Sequence, residues 1–249
     1  MLKKDDAQFF STQYLCHDKN HQTPTHCHAV GQLYLLNSGL ISCNTKDKHW
    51  SITPNCLGWI PPMTTHSAIS WGKIAGWSLY IPASWCHLLP ANTCILRTNE
   101  LISAIINRLI KWPKLSEFTD RQIRLITVLI DEMIQSEVVD SLLLPYPTDP
   151  RLVKITQAIW HNPLDSKTQV EWANWAGISI RSLSRHFMRD TGMTFSHWKH
   201  LAKVILSLEK LTQGLSINEI AYSLGFSDAS TYIASFKSIF GVSPKRYFN

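Results

Sequence analysis

The last hundred residues contain an internal repeat, whose copies span 172–183 and 220–231, 48 residues apart. Each copy has an Ala, a Gly four residues later and a Ser two residues after that: Ala173, Gly177 and Ser179, then Ala221, Gly225 and Ser227. A small Ala lets two helices cross closely, Gly permits a left-handed turn, and Ser can cap the next helix. The repeat predicts two helix-turn-helix units, joined by one continuous helix over 196–211.

The two copies are one residue out of step at their ends. Phe187 and Phe236 close the two predicted cores, so the second turn carries one extra residue near Asp228. The predicted units cover about 169–190 and about 217–240, with recognition helices from Ser179 and from Asp228. Two such units about one duplex turn apart can enter successive segments of the major groove.

A proline-rich segment marks the domain boundary. Three prolines fall within residues 145–150, which we predict to be a linker between domains at 1–144 and 151–249. Residues 1–150 hold 12 basic and 12 acidic side chains, whereas 151–249 hold 12 and 6, so the net charge of +6 lies in the second part. This excess suits a partner that is a polyanion.

The motifs of the C-terminal part resemble the DNA-binding domain of AraC/XylS-type regulators. They are LSRHF at 183–187, TGMTF at 191–195, INEIA at 217–221, LGFS at 224–227 and FGVSP at 240–244. The resemblance implies binding to duplex promoter DNA. The residues expected to face the groove are Ser179, Ile180, Arg181, Ser182, Ser184 and Arg185 in the first helix, and Ala229, Ser230, Thr231, Ala234, Ser235 and Lys237 in the second.

The two recognition helices differ in the chemistry they offer to DNA. Arg181 and Arg185 lie four residues apart, and each can contact guanine or sit on a phosphate. The family commonly has an arginine where Ala234 stands, and a longer polar residue at Ala229. We therefore expect the first helix to supply most of the base discrimination. Lys199, Lys203, Lys245 and Arg246 can contact phosphates or be solvated surface charges.

The first half of the chain has the pattern of a small β domain. Short apolar runs at 32–36, 40–43, 57–60 and 76–81 predict strands, and apolar periodicity over 100–137 predicts two helices with a break at residues 112–113. These helices can cover the strands or pair with a second subunit. The predicted fold class is α+β with two domains: a cupin-like β-barrel followed by two helices, then an all-α double helix-turn-helix domain.

Three histidines in the β domain are candidate metal ligands. His26 and His28 point to one face of a strand, and His66 can meet them from a neighbouring strand; three imidazoles can hold Zn, Fe, Ni or Mn. The pattern resembles cupin barrels, but Gln32 stands where metallocupins usually have Glu, and Met63 where they usually have Gly. The alternatives stay open: no cofactor in a metal-free effector pocket, or a divalent metal on His26, His28 and His66. The candidate pocket residues are His26, His28, Gln32, Tyr34, Trp59 and His66.

These features together predict a transcription regulator. The resemblance to cupin-type sensors fused to AraC-type domains implies a small-molecule effector, a homodimer and, for an activator, RNA polymerase as partner; activation is commoner than repression in the family. We expect a cytoplasmic protein without a membrane partner or enzymatic activity, because no apolar run of membrane length, signal peptide or catalytic triad occurs. The alternative function is a metal-dependent, dioxygenase-like cupin enzyme with an appended DNA-binding domain.

Overall fold

The computed structural model describes residues 10–54, 56–113 and 117–248, which form two compact units. The first unit contains the described residues up to 45 together with 52–140, and the second contains 46–51 with those from 141 onward. The strands are β1 (Ser11–His17), β2 (His21–His26), β3 (Gly31–Thr45), β4 (Lys48–Ile52), β5 (Cys56–Ile60), β6 (His66–Ile81), β7 (Cys94–Arg97) and β8 (Leu143–Pro145). The helices are α1 (Ala83–Cys86), α2 (Glu100–Leu109), α3 (Asp120–Gln135), α4 (Pro150–His161), α5 (Gln169–Trp175), α6 (Ile180–Thr191), α7 (Phe195–Thr212), α8 (Ile217–Ser223), α9 (Ala229–Phe240) and α10 (Pro244–Tyr247).

The first unit is an antiparallel sheet organised around β6. This strand pairs with β1, β2 and β3, while β3 also pairs with β5, and β5 with β7. The runs at 32–36 and 40–43, predicted as two strands, form the single strand β3 with shifts of register on either side of Ser38. Gly39 has a φ of +87° there, so the strand bends at this point without ending.

Helices α2 and α3 pack against one face of this sheet. Ile102, Ile105 and Leu129 of the helices share a hydrophobic cluster with Leu33 and Trp59 of the strands. The α+β prediction is therefore confirmed. The helices cover the sheet, which is the first of the two roles predicted for them. Because side chains alternate along a strand, the neighbours of Leu33 on β3 point to the opposite face.

The second unit is helical, with a short pair of antiparallel strands. β4 pairs with β8, placing His49 opposite Leu144, and Leu144 belongs to the same core as Trp172. The indole Nε1 of Trp198 donates to the Pro145 carbonyl over 2.7 Å. Residues 145–150, predicted as a linker, therefore lie within the second unit, because backbone pairing and Trp198 hold the first of them against its core.

Among the described residues, no helix is long and apolar enough to cross a membrane.

Candidate nucleic-acid interface and ligand site

The repeat folds into two helix-turn-helix units joined by α7. In the first unit α5 precedes α6, and in the second α8 precedes α9. The turn glycines Gly177 and Gly225 have φ values of +67° and +66°, the left-handed conformation that the repeat predicts and that side chains with a Cβ rarely adopt. Both units therefore present a second helix that starts at a defined angle after a tight turn.

The repeat extends to the start of each unit, which sequence reasoning missed. Thr168 and Glu171 form a capping box at α5, and Ser216 and Glu219 form the same motif at α8. In each box the carboxylate accepts from the backbone N–H of the cap residue, over 2.7 Å and 2.8 Å respectively. The spacing Ser/Thr-x-x-Glu is the signal that could have revealed it.

The recognition helices are capped differently. Ser179 caps α6 through a hydrogen bond from Ser182 N, as its position predicts. At α9 the cap is Asp228 and not Ser227, since Asp228 Oδ1 accepts from Thr231 N over 2.8 Å. The extra residue predicted in the second turn shifts the capping position by one.

Arg181 and Arg185 are exposed on α6, one helical turn apart. Arg185 Nη2 donates to Nε2 of His186 over 3.2 Å. A guanidinium can only donate, so this ring nitrogen accepts and the other, Nδ1, donates to Asp149 Oδ2 over 3.3 Å. Asp149 also pairs with Arg151, and mainly this hydrogen bond holds the pKa of Asp149 well below its usual range. The Arg185 side chain is thus oriented from the start of α4.

The other predicted α6 contacts are partly occupied within the unit. Ser179 Oγ donates to Ser182 Oγ over 3.0 Å, and Ser184 Oγ donates to the Ile180 carbonyl over 3.0 Å. Ser184 also accepts from Gln169 Nε2. Ile180 is exposed despite being apolar. Arg181 and Arg185 are therefore the cationic donors among the residues predicted to face DNA on α6.

Most of the residues predicted to face DNA on α9 have small side chains, and Thr231 hydrogen-bonds to residues at the start of the same helix. Thr231 Oγ1 donates to Asp228 Oδ2 over 3.0 Å and lies 2.9 Å from Ser227 Oγ. Of the remaining predicted set, Ser230, Ala234 and Lys237 are exposed, while Ala229 and Ser235 are half-buried. Ile233 is also exposed and was missed, because the sequence pattern does not distinguish it from a core position.

Lys199 contacts the loop before α5, and Lys203 contacts the turn of the second unit. Lys199 Nζ donates to the carbonyls of Asp165 and Lys167 over 3.1 Å and 3.2 Å, and Lys203 Nζ donates to Gly225 O over 3.3 Å. Burial lowers the pKa of both amines. The sequence predicted that these lysines contact phosphates or are solvated, and their contacts with backbone carbonyls match neither role. Lys245 and Arg246 are exposed.

The three histidines converge on the first unit's sheet. His26 of β2 is paired with His66 of β6, and these two ring centroids are 4.4 Å apart. The His28 centroid lies 5.7 Å from that of His26 and 5.1 Å from that of His66. One ligand nitrogen from each ring lies within 4.8 Å of the others, so the three residues could hold a metal ion.

Gln32 joins this cluster through a polar network. Its Oε1 lies 2.9 Å from His28 Nε2, and its amide Nε2 donates to Ser78 Oγ over 2.8 Å and to Tyr80 Oη over 3.4 Å. Tyr34 is on the same strand face but lines a small neighbouring cavity with His17 and Ser70. Sequence reasoning missed Ser78 and Tyr80, because the register that sets them beside Gln32 cannot be read from residue patterns.

Trp59 does not belong to this site. Trp59 lies on β5, where it pairs with Leu33 of β3. It is fully buried in the hydrophobic cluster beneath the helices, and its Nε1 donates to Pro90 O over 2.8 Å. Its side chain therefore points to the face opposite Gln32 and Tyr34. The prediction that Trp59 lines the pocket is wrong, because alternation along β5 sends it into the hydrophobic core.

Comparison with known proteins agrees with this two-part organisation. Residues 14–144 match the model of the AraC-like ligand binding domain, and residues 172–249 match a helix-turn-helix domain. The HTH-type transcriptional regulator NimR of Escherichia coli (strain K12) is 28% identical over 225 residues, covering 90% of this chain and 82% of NimR. The HTH-type transcriptional activator RhaR of Pectobacterium carotovorum is 36% identical over 71 residues, covering 28% of this chain and 25% of RhaR. The solved structure of ToxT from Vibrio cholerae aligns with a TM-score of 0.42 and 13% identity, over 96% of this chain and 97% of ToxT.

Proposed function

The chain belongs to the AraC family of transcription regulators, and on this premise we propose that it reads promoter DNA through α6 and α9 in response to a small molecule bound by its first unit. The observation that carries the DNA-reading mode is the pair Arg181 and Arg185, both exposed on a capped second helix at helix-turn-helix spacing.

The two recognition helices contribute unequally to this reading. A guanidinium can bind guanine O6 and N7 in the major groove, and each good bidentate contact discriminates against the wrong base by about 1–3 kcal/mol. Lys237 is the exposed cation among the candidate contacts of α9, where Ser230 and Ala234 offer small surfaces. The second helix then adds phosphate contacts and apolar contact with thymine methyl groups.

The proposed effector site is the sheet face that carries His26, His28, Gln32 and His66. It offers hydrogen-bonding groups, extended by Ser78 and Tyr80. A ligand here shifts DNA binding only if it binds two states of the protein with different affinity.

Activation in the cytoplasm by a homodimer that contacts RNA polymerase is the regulatory mode we propose. The name of RhaR, a transcriptional activator, supports activation over repression. Leu101, Val128 and Ile134 are exposed apolar side chains on α2 and α3, which supports pairing of two chains through these helices. The DNA target supports an intracellular location.

A regulator without enzymatic activity is favoured over a dioxygenase-like cupin enzyme. The relatives reported above are named as transcription regulators. Metal content alone cannot separate the two functions, because a sensor can also hold an ion, so the discriminating assay is turnover. Oxygen consumption by the metal-loaded protein with any candidate effector would support the enzyme.

The DNA claim is tested by gel shift on fragments taken upstream of the chain's own gene and its neighbours. The double variant Arg181→Ala and Arg185→Ala is expected to lose sequence-selective binding while retaining its fold. The matched control is Arg124→Ala, an exposed arginine of α3 in the first unit. Unchanged affinity and selectivity of the double variant would refute α6 as the first recognition helix.

A further inference from the structure

We propose that His26, His28 and His66 form a binding site for one divalent transition-metal ion in the first unit. The inference deepens the proposed sensor role and rests on it for its regulatory consequence only. It stands on the orientation of the three rings, on one buried nitrogen without a partner and on the donor types that surround them.

Each of the three rings is held through Nδ1 by a backbone carbonyl two residues away. The distances are 2.8 Å from His26 to Pro24 O, 2.7 Å from His28 to Val30 O and 2.8 Å from His66 to Thr64 O. A carbonyl only accepts, so Nδ1 carries a proton in each ring, and Nε2 is the nitrogen left to bind a metal. Nε2 of His26 and of His66 offers its lone pair in the neutral ring. Nε2 of His28 donates to Gln32 Oε1 over 2.9 Å, so it binds a metal by giving up that proton and that hydrogen bond. Metal-binding histidines are commonly oriented this way, by a carbonyl or carboxylate on the other nitrogen.

His66 provides the nitrogen that lacks a partner. The residue is 1% exposed, and its Nε2 has no hydrogen-bond partner among the described residues. Leaving a buried polar atom unpaired costs free energy, which a ligand at this position would offset. Nitrogens about 2.1 Å from one ion are at most about 4.2 Å apart. One ligand nitrogen from each ring lies within 4.8 Å of the others, and a tetrahedral site needs them about 3.4 Å apart, so the rings must turn toward one another to share an ion.

The donor set selects the class of ion. Three imidazoles converge, and no carboxylate or thiol joins them within the part of the chain that the structure describes. Imidazole suits Zn²⁺, Fe²⁺, Co²⁺ and Ni²⁺, whereas Mg²⁺ and Ca²⁺ require oxygen ligands. The site therefore takes a first-row transition metal.

Three protein ligands leave at least one coordination position for another molecule. Neutral imidazoles do not cancel the two positive charges of the ion, so an anionic donor is favoured at that position. Gln32 lies on the same face, and its Oε1 becomes free to accept a hydrogen bond from such a molecule once His28 Nε2 turns from it to the metal. The effector class that follows is a small anionic molecule bound through the ion.

The test uses the full chain without a polyhistidine tag, stripped of metal by a chelator and titrated with Co²⁺. We expect one Co²⁺ per chain, with visible bands of nitrogen ligation and without the near-ultraviolet band that thiolates would add. His28→Gln is expected to weaken binding by more than about 100-fold, the upper end for loss of an outer-shell partner. The matched control is His87→Gln, since His87 has the same Nδ1 contact, 2.6 Å from Ser84 O, but lies exposed outside the cluster.

A second variant tests the site by gain of affinity and does not depend on a disruptive change. Gln32→Glu places a carboxylate beside His28 and is expected to strengthen Co²⁺ binding by about tenfold or more. Absence of stoichiometric Co²⁺, a thiolate band, or equal binding by His28→Gln and His87→Gln would each overturn the site. Gel shifts on the same preparations report DNA binding separately, so a failed metal site and a failed regulator are distinguishable.

Discussion

Arg185 donates to Nε2 of His186, and the other nitrogen of that ring contacts Asp149 at the start of α4. A side chain proposed to contact DNA is thus oriented through His186, which contacts a residue 37 positions before that histidine. We therefore propose His186 as a positioning residue, which orients Arg185 for its proposed contact with DNA.

Replacing His186 tests this positioning. His186→Leu removes the acceptor and is expected to weaken specific DNA binding by roughly three- to tenfold, the effect of one lost hydrogen bond. His186→Gln keeps an acceptor and is expected to restore most of the affinity. The measurement is a gel shift on specific and on random DNA, and loss of both kinds of binding in the Leu variant would point to a structural role instead.

The capping boxes make a prediction about stability. Ser216→Ala removes the side chain that accepts from Glu219 N, and is expected to lower the free energy of unfolding by about 1 kcal/mol. Asn218→Ala, at an exposed position of the same helix, serves as the control. Chemical denaturation measures the free energy of unfolding of both variants. Equal values would show that the capping box does not stabilise the protein.

His49 predicts how stability depends on pH. Burial lowers the pKa of His49 to about 3 from 6.5, and its ring packs 4.2 Å from that of Trp160. The folded state keeps the ring neutral, so stability is complete above pH 6.5 and falls as the pH drops from 6.5 toward 3. The loss at pH 5 is about 2 kcal/mol.

The substitution His49→Phe is expected to flatten this slope. Denaturation of the second unit is followed at several pH values, with His161→Phe, an exposed position of α4, as the control. A wild-type slope in the His49 variant would show that another group is responsible.

Residue types and their spacing predicted the repeat and its turns. The features that they did not predict depend on turn length, side-chain packing and strand register. The left-handed turns at Gly177 and Gly225 follow from residue type alone. The capping role of Asp228 depends on the length of one turn, and a single extra residue moved it from Ser227. Both strand faces of β5 are buried, so hydrophobicity could not show that Trp59 points away from Gln32. The partners Ser78 and Tyr80 follow from strand register, which no residue pattern records.

Sequence-specific DNA binding is tested by selecting bound fragments from fragmented genomic DNA with the purified full chain and sequencing them. We expect a shared motif with two segments about one duplex turn apart. The wild type and Arg124→Ala enrich this motif, and the Arg181→Ala, Arg185→Ala double variant does not. Recovery of random fragments by the wild type, or of the same motif by the double variant, would contradict this expectation.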